Sequence, residues 1–319
     1  MPEKITIRKL AAELDMAAST VHRALSGHPN VRTDTRRKVL RAAHKKGYLL
    51  PQRDKRNIAI IVPSFRFAGY LEGLLPCLET EFHRRGFRLQ LIPHQDIAIL
   101  GDHMFDGILS LVWQEGLEKL LPRHFSIPVL TLNAASNMLE NIPRITSDPH
   151  GIRLALEYLY GRGCRKIFYV STVTENSPDA AERLEEFRRF CLKPGQDYEN
   201  THQEQHWTEI EGNLPLMLKV KPDACFCASE AFAARLGQLL KAAGIRIPED
   251  ISLMGLEDRA NAGFTPPITA IRQNFEQLAE VAADAMSEML ATGTIPENCN
   301  VPVPFILIER DSVRNPESN

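Results

Sequence analysis

Arg23 is the first residue whose surroundings suggest a specific chemistry. It lies in the run Ser19-Thr20-Val21-His22-Arg23-Ala24-Leu25, where Val21 and Leu25 share one helical face. Ala18, Ser19, His22 and Arg23 take the outward positions. A guanidinium on such a face can donate two parallel hydrogen bonds to a guanine edge in the major groove. Ser19 and His22 can reach bases or phosphates, whereas Ala18 offers only an apolar contact, for example to a thymine methyl. Thr6, Thr20, Asn30, Thr35 and Arg36 stand where short polar groups and helix starts can hold phosphates. The partner these residues suit is double-stranded DNA.

The elements that must position them are three short helices within the first 48 residues. Thr6 is placed to cap the first, with Ile7, Leu10, Ala11 and Leu14 on one face. Asp15-Met16-Ala17 forms a tight break. Ser26-Gly27-His28-Pro29-Asn30 ends the second helix, because Gly and Pro stop helices. The third runs from about Thr33 to Lys46, and Gly47 closes it. Two short helices across a tight turn with a third behind them make a helix-turn-helix, whose second helix enters the major groove.

Charge supports this reading. Residues 1–57 carry 14 Lys and Arg against 5 Asp and Glu, a net of +9, while the remaining 24 basic and 35 acidic residues give −11. A basic head on an acidic body meets polyanions. A strong salt dependence of DNA binding follows, with Arg32 and Arg36 as phosphate-directed charges.

From Ile58 the texture changes. Apolar runs of strand length recur at Ile58–Val62, Leu89–Ile92, Gly107–Val112, Val129–Leu132, Ile167–Val170, Ala224–Ala228 and Ile251–Gly255. Helical stretches lie between several of them, at Tyr70–Arg85, Ile152–Arg162, Asp179–Cys191, Ala231–Ala243 and Glu276–Ala291. This alternation predicts an α/β fold, with parallel sheets covered by helices on both faces. About 260 residues of it suggest two such layers behind the all-α head. No apolar run approaches the ~20 residues of a membrane helix. The start Met1–Ile5 shows no secretory pattern, and six cysteines are too sparse for a disulfide scaffold, so a cytoplasmic protein is expected.

Other chemistries find little support. Gly161-Arg162-Gly163-Cys164 lacks the third glycine of a dinucleotide loop and precedes a strand. There is no phosphate loop and no nucleophile elbow. Cys225 and Cys227 share one face of a strand and read as core. His202 and His206 read as part of a polar loop before Trp207. No metal, no cofactor and no catalytic residue is expected.

The ordered motifs resemble the lactose/galactose-repressor (LacI/GalR) family. In the head these are Ile5–Ala11, Ser19–Gly27, Val31, Thr35-Arg36 and Gly47-Tyr48. In the body they are Asp106–Leu109, Ser147-Asp148 with Gly151, Ile247–Gly255 and Thr265–Thr269 with Gln273. Arg183-Leu184-Glu185-Glu186-Phe187 is similar to the family's Arg-Leu-x-Gly-Phe helix. The resemblance implies a homodimeric transcriptional regulator, a repressor by analogy, acting on a palindromic operator. It also implies a two-lobed body like that of periplasmic sugar-binding proteins, with a small metabolite, a sugar or sugar derivative, held between the lobes.

By the same resemblance the head is 1–50, the linker 51–57 and the effector-binding and dimerisation body 58–319. The lobes are 58–161 with 274–304 and 162–273 with 305–319, the crossings falling near Gly161, Gln273 and Pro304. Phe67 or Tyr70 can stack on a flat ligand. Arg183 matches the family's ligand-binding arginine, a fork for vicinal hydroxyls or a carboxylate. Trp207 can stack on a ring face. Ser229 stands where members often have Asn, Glu257 where they often have Asp, and Gln273 matches a polar cleft residue. The shortened arm at Ser229 and the lengthened one at Glu257 leave no particular sugar to carry over.

The linker departs from the family. Only nine residues, Leu49 to Asn57, separate Gly47-Tyr48 from the first body strand, and Pro51 turns Leu50 away from helical geometry. A minor-groove hinge helix is therefore not expected, and Leu49-Leu50 would be its only wedge. Two further readings compete: a DNA-binding regulator insensitive to ligand, and an enzyme with a two-lobed α/β body. Against the enzyme, no nucleophile–base pair emerges, and catalysis has no need of a +9 head.

Overall fold

The computed structural model describes residues 5–48, 55–63, 65, 70–101, 103–111, 127–132, 142–148, 150–172, 178–193, 201–205, 210–256 and 264–315. The first three helices are α1 (Ile7–Leu14), α2 (Ala18–Leu25) and α3 (Thr33–Lys45). Thr6 caps α1, its side-chain oxygen accepting from the Lys9 N–H at 3.3 Å. Asp15 takes a left-handed conformation (φ 53°) that breaks the chain between α1 and α2. Gly47 does the same after α3 (φ 64°), where the Tyr48 N–H reaches the Ala43 carbonyl and the Gly47 N–H that of His44. These two bonds form the paired C-terminal cap that glycine favours. Leu10, Val21, Leu25, Val39 and Leu40 close the head core, and Met104 is buried in the same cluster.

The chain divides into two compact units, Met1–Thr146 with Phe275–Val301 and Ser147–Asn274 with Pro302–Asn319. The first unit contains β1 (Arg56–Val62), α4 (Tyr70–Arg84), β2 (Phe87–Pro93), a 3-10 segment (His94–Gly101), β3 (Gly107–Ser110), β4 (Val129–Leu132) and β5 (Arg144–Ile145). Its sheet has the order β2-β1-β3-β4-β5 and is parallel throughout. Ile58–Val62 is wholly buried, as expected of a central strand covered on both faces. The strand starts at Arg56, not at Ile58, because Arg56 and Asn57 already pair with Phe87 and Arg88. That removes two residues from the linker. The rest of it, and the hinge-helix question, lie outside the described residues except for Lys55.

The second unit contains α5 (Ile152–Gly161), β6 (Ile167–Thr172), α6 (Pro178–Phe190), β7 (His202–Gln205), α7 (Ile210–Val220), β8 (Ala224–Cys227), α8 (Glu230–Ala242), β9 (Ser252–Leu256), β10 (Thr269–Arg272) and β11 (Ile306–Ile308). The last long helix, α9 (Phe275–Thr292), returns to the first unit. The second sheet has the order β11-β10-β9-β8-β6-β7, parallel except for the edge strand β11, which runs antiparallel to β10. Alternate β6 residues serve opposite faces. Ile167 and Tyr169 join one core with Leu184 and Phe187 of α6, while Phe168 and Val170 join another with Phe232 and Leu236 of α8.

Two expectations need correction. The first boundary between units falls at Thr146/Ser147, one helix before Gly161, because α5 buries Ile152, Ala155, Leu156 and Leu159 in the core that holds Tyr169 and Phe226. His202 is not in a loop. It opens the edge strand β7, which pairs in parallel with β6 and places His202 beside Tyr169.

Candidate functional site

The head presents one helix face cleanly. α2 buries Val21, Ala24 and Leu25 and leaves Ala18, Ser19, His22 and Arg23 exposed, with Thr20 half-buried at the edge. Asn30 is exposed in the turn before α3, and its N–H donates to His28 Nδ1 at 3.3 Å. Arg36 is half-buried and donates through Nη2 to the His28 carbonyl at 2.5 Å, so it braces this turn. Thr35 is half-buried beside it, and the Thr6 oxygen serves as the α1 cap. On α3, burial holds the His44 imidazole down to about 4 and pushes the Tyr48 phenol up from its ordinary value.

Of the residues expected to touch an effector, Phe67, Trp207 and Glu257 lie outside the described residues. Tyr70 opens α4 in the first unit and meets Phe275 edge-on, with ring centroids 5.6 Å apart. The other three belong to the second unit. Arg183 is half-buried on the second turn of α6 and forms no ion pair among the described residues. Ser229 caps α8, its Oγ accepting from the Phe232 N–H at 3.2 Å, which leaves its O–H to donate elsewhere. Gln273 is buried, and its Oε1 accepts from the Ser147 hydroxyl at 2.5 Å.

Sequence reasoning missed several polar residues near these positions. Ser147 ties the first crossing segment to the second, and the Asp148 N–H ties it to the third through the Val303 carbonyl at 2.8 Å. Glu186 stands where the resembled motif has glycine. It is buried and meets His150 at 2.9 Å and Arg189 at 3.4 Å, with Arg153 at 3.8 Å from its other oxygen. Only the break in the motif marked it. Tyr169 is wholly buried between Phe226, stacked at 5.3 Å, and Phe187 at 5.0 Å. Nothing in its apolar run distinguished it from core.

Cys225 and Cys227 are buried in the β8 core, where desolvation raises both thiols above their usual range. Among the described residues no group of three or more His, Cys, Asp and Glu is placed to hold a metal ion. Among those residues no helix is long and apolar enough to cross a membrane.

This arrangement defines a class: a basic three-helix head joined to two α/β units between which the chain passes more than once. Comparison with known proteins gives the same class. Residues 156–313 match the periplasmic binding protein-like domain family. The chain is similar to the HTH-type transcriptional repressor PurR of Vibrio vulnificus (strain CMCP6), 26% identical over 319 residues that span 89% of this chain and 92% of that protein. Its fold is similar to that of a transcriptional regulator CelR–cellobiose complex, with a TM-score of 0.69 at 22% identity over 97% and 99% of the two chains. It is also similar to that of the lac repressor dimer bound to operator and the anti-inducer ONPF, with a TM-score of 0.64 at 18% identity over 97% and 99%. The chain is thus similar in sequence to transcriptional repressors over most of its length and similar in fold to the lac repressor.

Proposed function

We propose that this protein is a sequence-specific DNA-binding transcriptional regulator, a repressor by class, that also binds a small metabolite. The observation that carries the reading is the exposed face of α2, where Ala18, Ser19, His22 and Arg23 stand on a basic head. A helix of this kind fits the major groove, and the +9 charge of residues 1–57 supplies the phosphate attraction. A head this small reads too few base pairs alone for operator specificity, so the working species is a homodimer on a palindrome. It acts on DNA in the cytoplasm, catalyses no reaction and returns its ligand unchanged.

The effector residues proposed are Tyr70, Arg183, Ser229 and Gln273, together with Phe67, Trp207 and Glu257. In the second unit they follow the carboxyl ends of β6, β8 and β10, the edge at which open α/β sheets bind ligands. Binding to duplex DNA over a salt series tests the first half. The affinity falls steeply with salt if phosphates are contacted, and a flat affinity contradicts the reading. Recovery of an added metabolite unchanged after prolonged incubation tests the statement that the protein is not an enzyme.

A further inference from the structure

The head is joined to the rest of the first unit by packing as well as by the chain. Among the described residues, Met104 is the one member of the head core that comes from beyond Tyr48. It is buried in one cluster with Leu10, Val21, Leu40 and Tyr48. Its neighbour Phe105 is buried in a different core, that of the first sheet, with Ala59, Ile61 and Ile108. Two consecutive side chains therefore enter two cores, one belonging to the head and one to the sheet. Methionine suits such a seat, because its unbranched side chain fills irregular gaps.

The backbone that carries Met104 is held in place. The Asp106 N–H donates to the Asn57 carbonyl at 2.8 Å, and Asp106 Oδ2 accepts from the Asn57 N–H at 2.7 Å. Asn57 is the second residue of β1, where the chain coming from the head enters the sheet. The 3-10 segment His94–Gly101 buries Leu100 in the same core as Phe105 and lies against α3. The head thus rests on the first unit at α3 and at Met104, next to the strand its own chain leads into. In this arrangement Ala18, Ser19, His22 and Arg23 stay exposed, so docking leaves the reading face of α2 uncovered.

Docking matters because the chain alone would hold the head loosely. The seven residues 49–55 separate Tyr48 from β1 and reach about 25 Å when extended. A tether of that reach covers about seven base pairs at ~3.4 Å each. A head seated on its unit has one position instead. In a dimer of such chains the two α2 helices then have one separation, and a shift of one base pair misplaces a half-site by about 3.4 Å and about 35°. We infer that Met104 is a positioning residue for DNA reading: by seating the head on the first unit, it fixes the half-site spacing that the dimer accepts. This rests on the proposed reading of a palindrome by a homodimer and deepens it.

Two measurements on the full-length protein test the inference. NMR relaxation of the head amides reads the docking without DNA. In wild type these amides are expected to relax with the whole particle. In Met104→Gln, which puts a polar amide into an apolar seat, they are expected to relax as a small tethered domain. The second measurement is the affinity for palindromes recovered by site selection, with the half-sites moved by one or two base pairs in either direction. Wild type is expected to lose about tenfold or more on the first shifted base pair, a difference of about 1.4 kcal/mol, and Met104→Gln no more than about threefold. Met104→Leu keeps the seat apolar and is expected to retain the wild-type ratio. Met104→Ala is measured beside Met104→Gln, and thermal unfolding shows which of the two keeps the fold. A merely structural role for Met104 lowers affinity at every spacing alike and leaves the ratio intact, which overturns the inference. So does a wild-type head whose amides tumble independently, or a wild type indifferent to spacing. If wild type selects no palindrome, the regulator reading fails and the positioning role with it, while the relaxation data still decide whether the head is docked.

Discussion

The Ser147 hydroxyl donates to Gln273 Oε1 at 2.5 Å, joining two residues 126 positions apart. Each lies at a passage of the chain between its two units, Ser147 just after the first and Gln273 just before the second. The third passage joins them, since Ser147 forms a parallel bridge with Val303. Ser147→Ala removes the donor to a buried amide oxygen, and the expected loss is about 1–2 kcal/mol in urea unfolding. A variant as stable as wild type would show that Gln273 does not depend on Ser147.

Gly151 precedes α5 where a Cβ would run into the ring of Phe305. The aromatic ring is buried and cannot swing away cheaply. Gly151→Ala is expected to destabilise by about 1–3 kcal/mol, the usual cost of overpacking. Gly151→Ala combined with Phe305→Leu is expected to recover part of that loss, which thermal unfolding of the single and double variants would reveal.

How much of this was legible beforehand depends on where each residue sits. Ile58–Val62, Ala224–Ala228 and Ile251–Gly255 were legible as strands because both faces of a central parallel strand are buried, leaving an unbroken apolar run. His202–Gln205 was not, because an edge strand gains its backbone partners from β6 alone and tolerates polar side chains throughout. The head was legible to the level of single residues, since short helices, a left-handed break and a glycine stop are local signals. The Ser147–Gln273 bond and the burial of the Tyr169 hydroxyl depend on contacts distant in sequence, and no spacing rule reaches them. The boundary near Gly161 was misplaced because α5 is amphipathic either way, and only its packing partners decide which unit it joins.

His44 gives the head a pH dependence with a definite sign. Its folded value of about 4 lies below the ordinary 6.5 because burial disfavours the imidazolium. Between these values the unfolded chain binds the proton and the folded chain does not, so stability falls as pH drops from about 6.5 to 4 and is unaffected by this group above that range. The full loss is on the order of 3 kcal/mol. Head unfolding followed by amide exchange should show it, and His44→Gln should flatten the curve over that window. An unchanged curve in the variant would mean that other groups set the dependence.

Arg23 and Arg32 separate specificity from attraction. Arg23→Ala is expected to cost about 1–3 kcal/mol on a selected operator and to relax the preference at one base pair. Arg32→Ala is expected to weaken all duplexes alike and to reduce the salt slope by about one. Equal losses on selected and scrambled DNA for both variants would place Arg23 on the phosphates.

The most direct measurement is selection of binding sites for the full-length protein from random duplex DNA at moderate salt. A recovered palindrome with two half-sites of fixed spacing is predicted, because a dimer presents two copies of α2. Recovery of no common sequence, with binding that depends only on salt, would contradict the central claim that this head reads an operator.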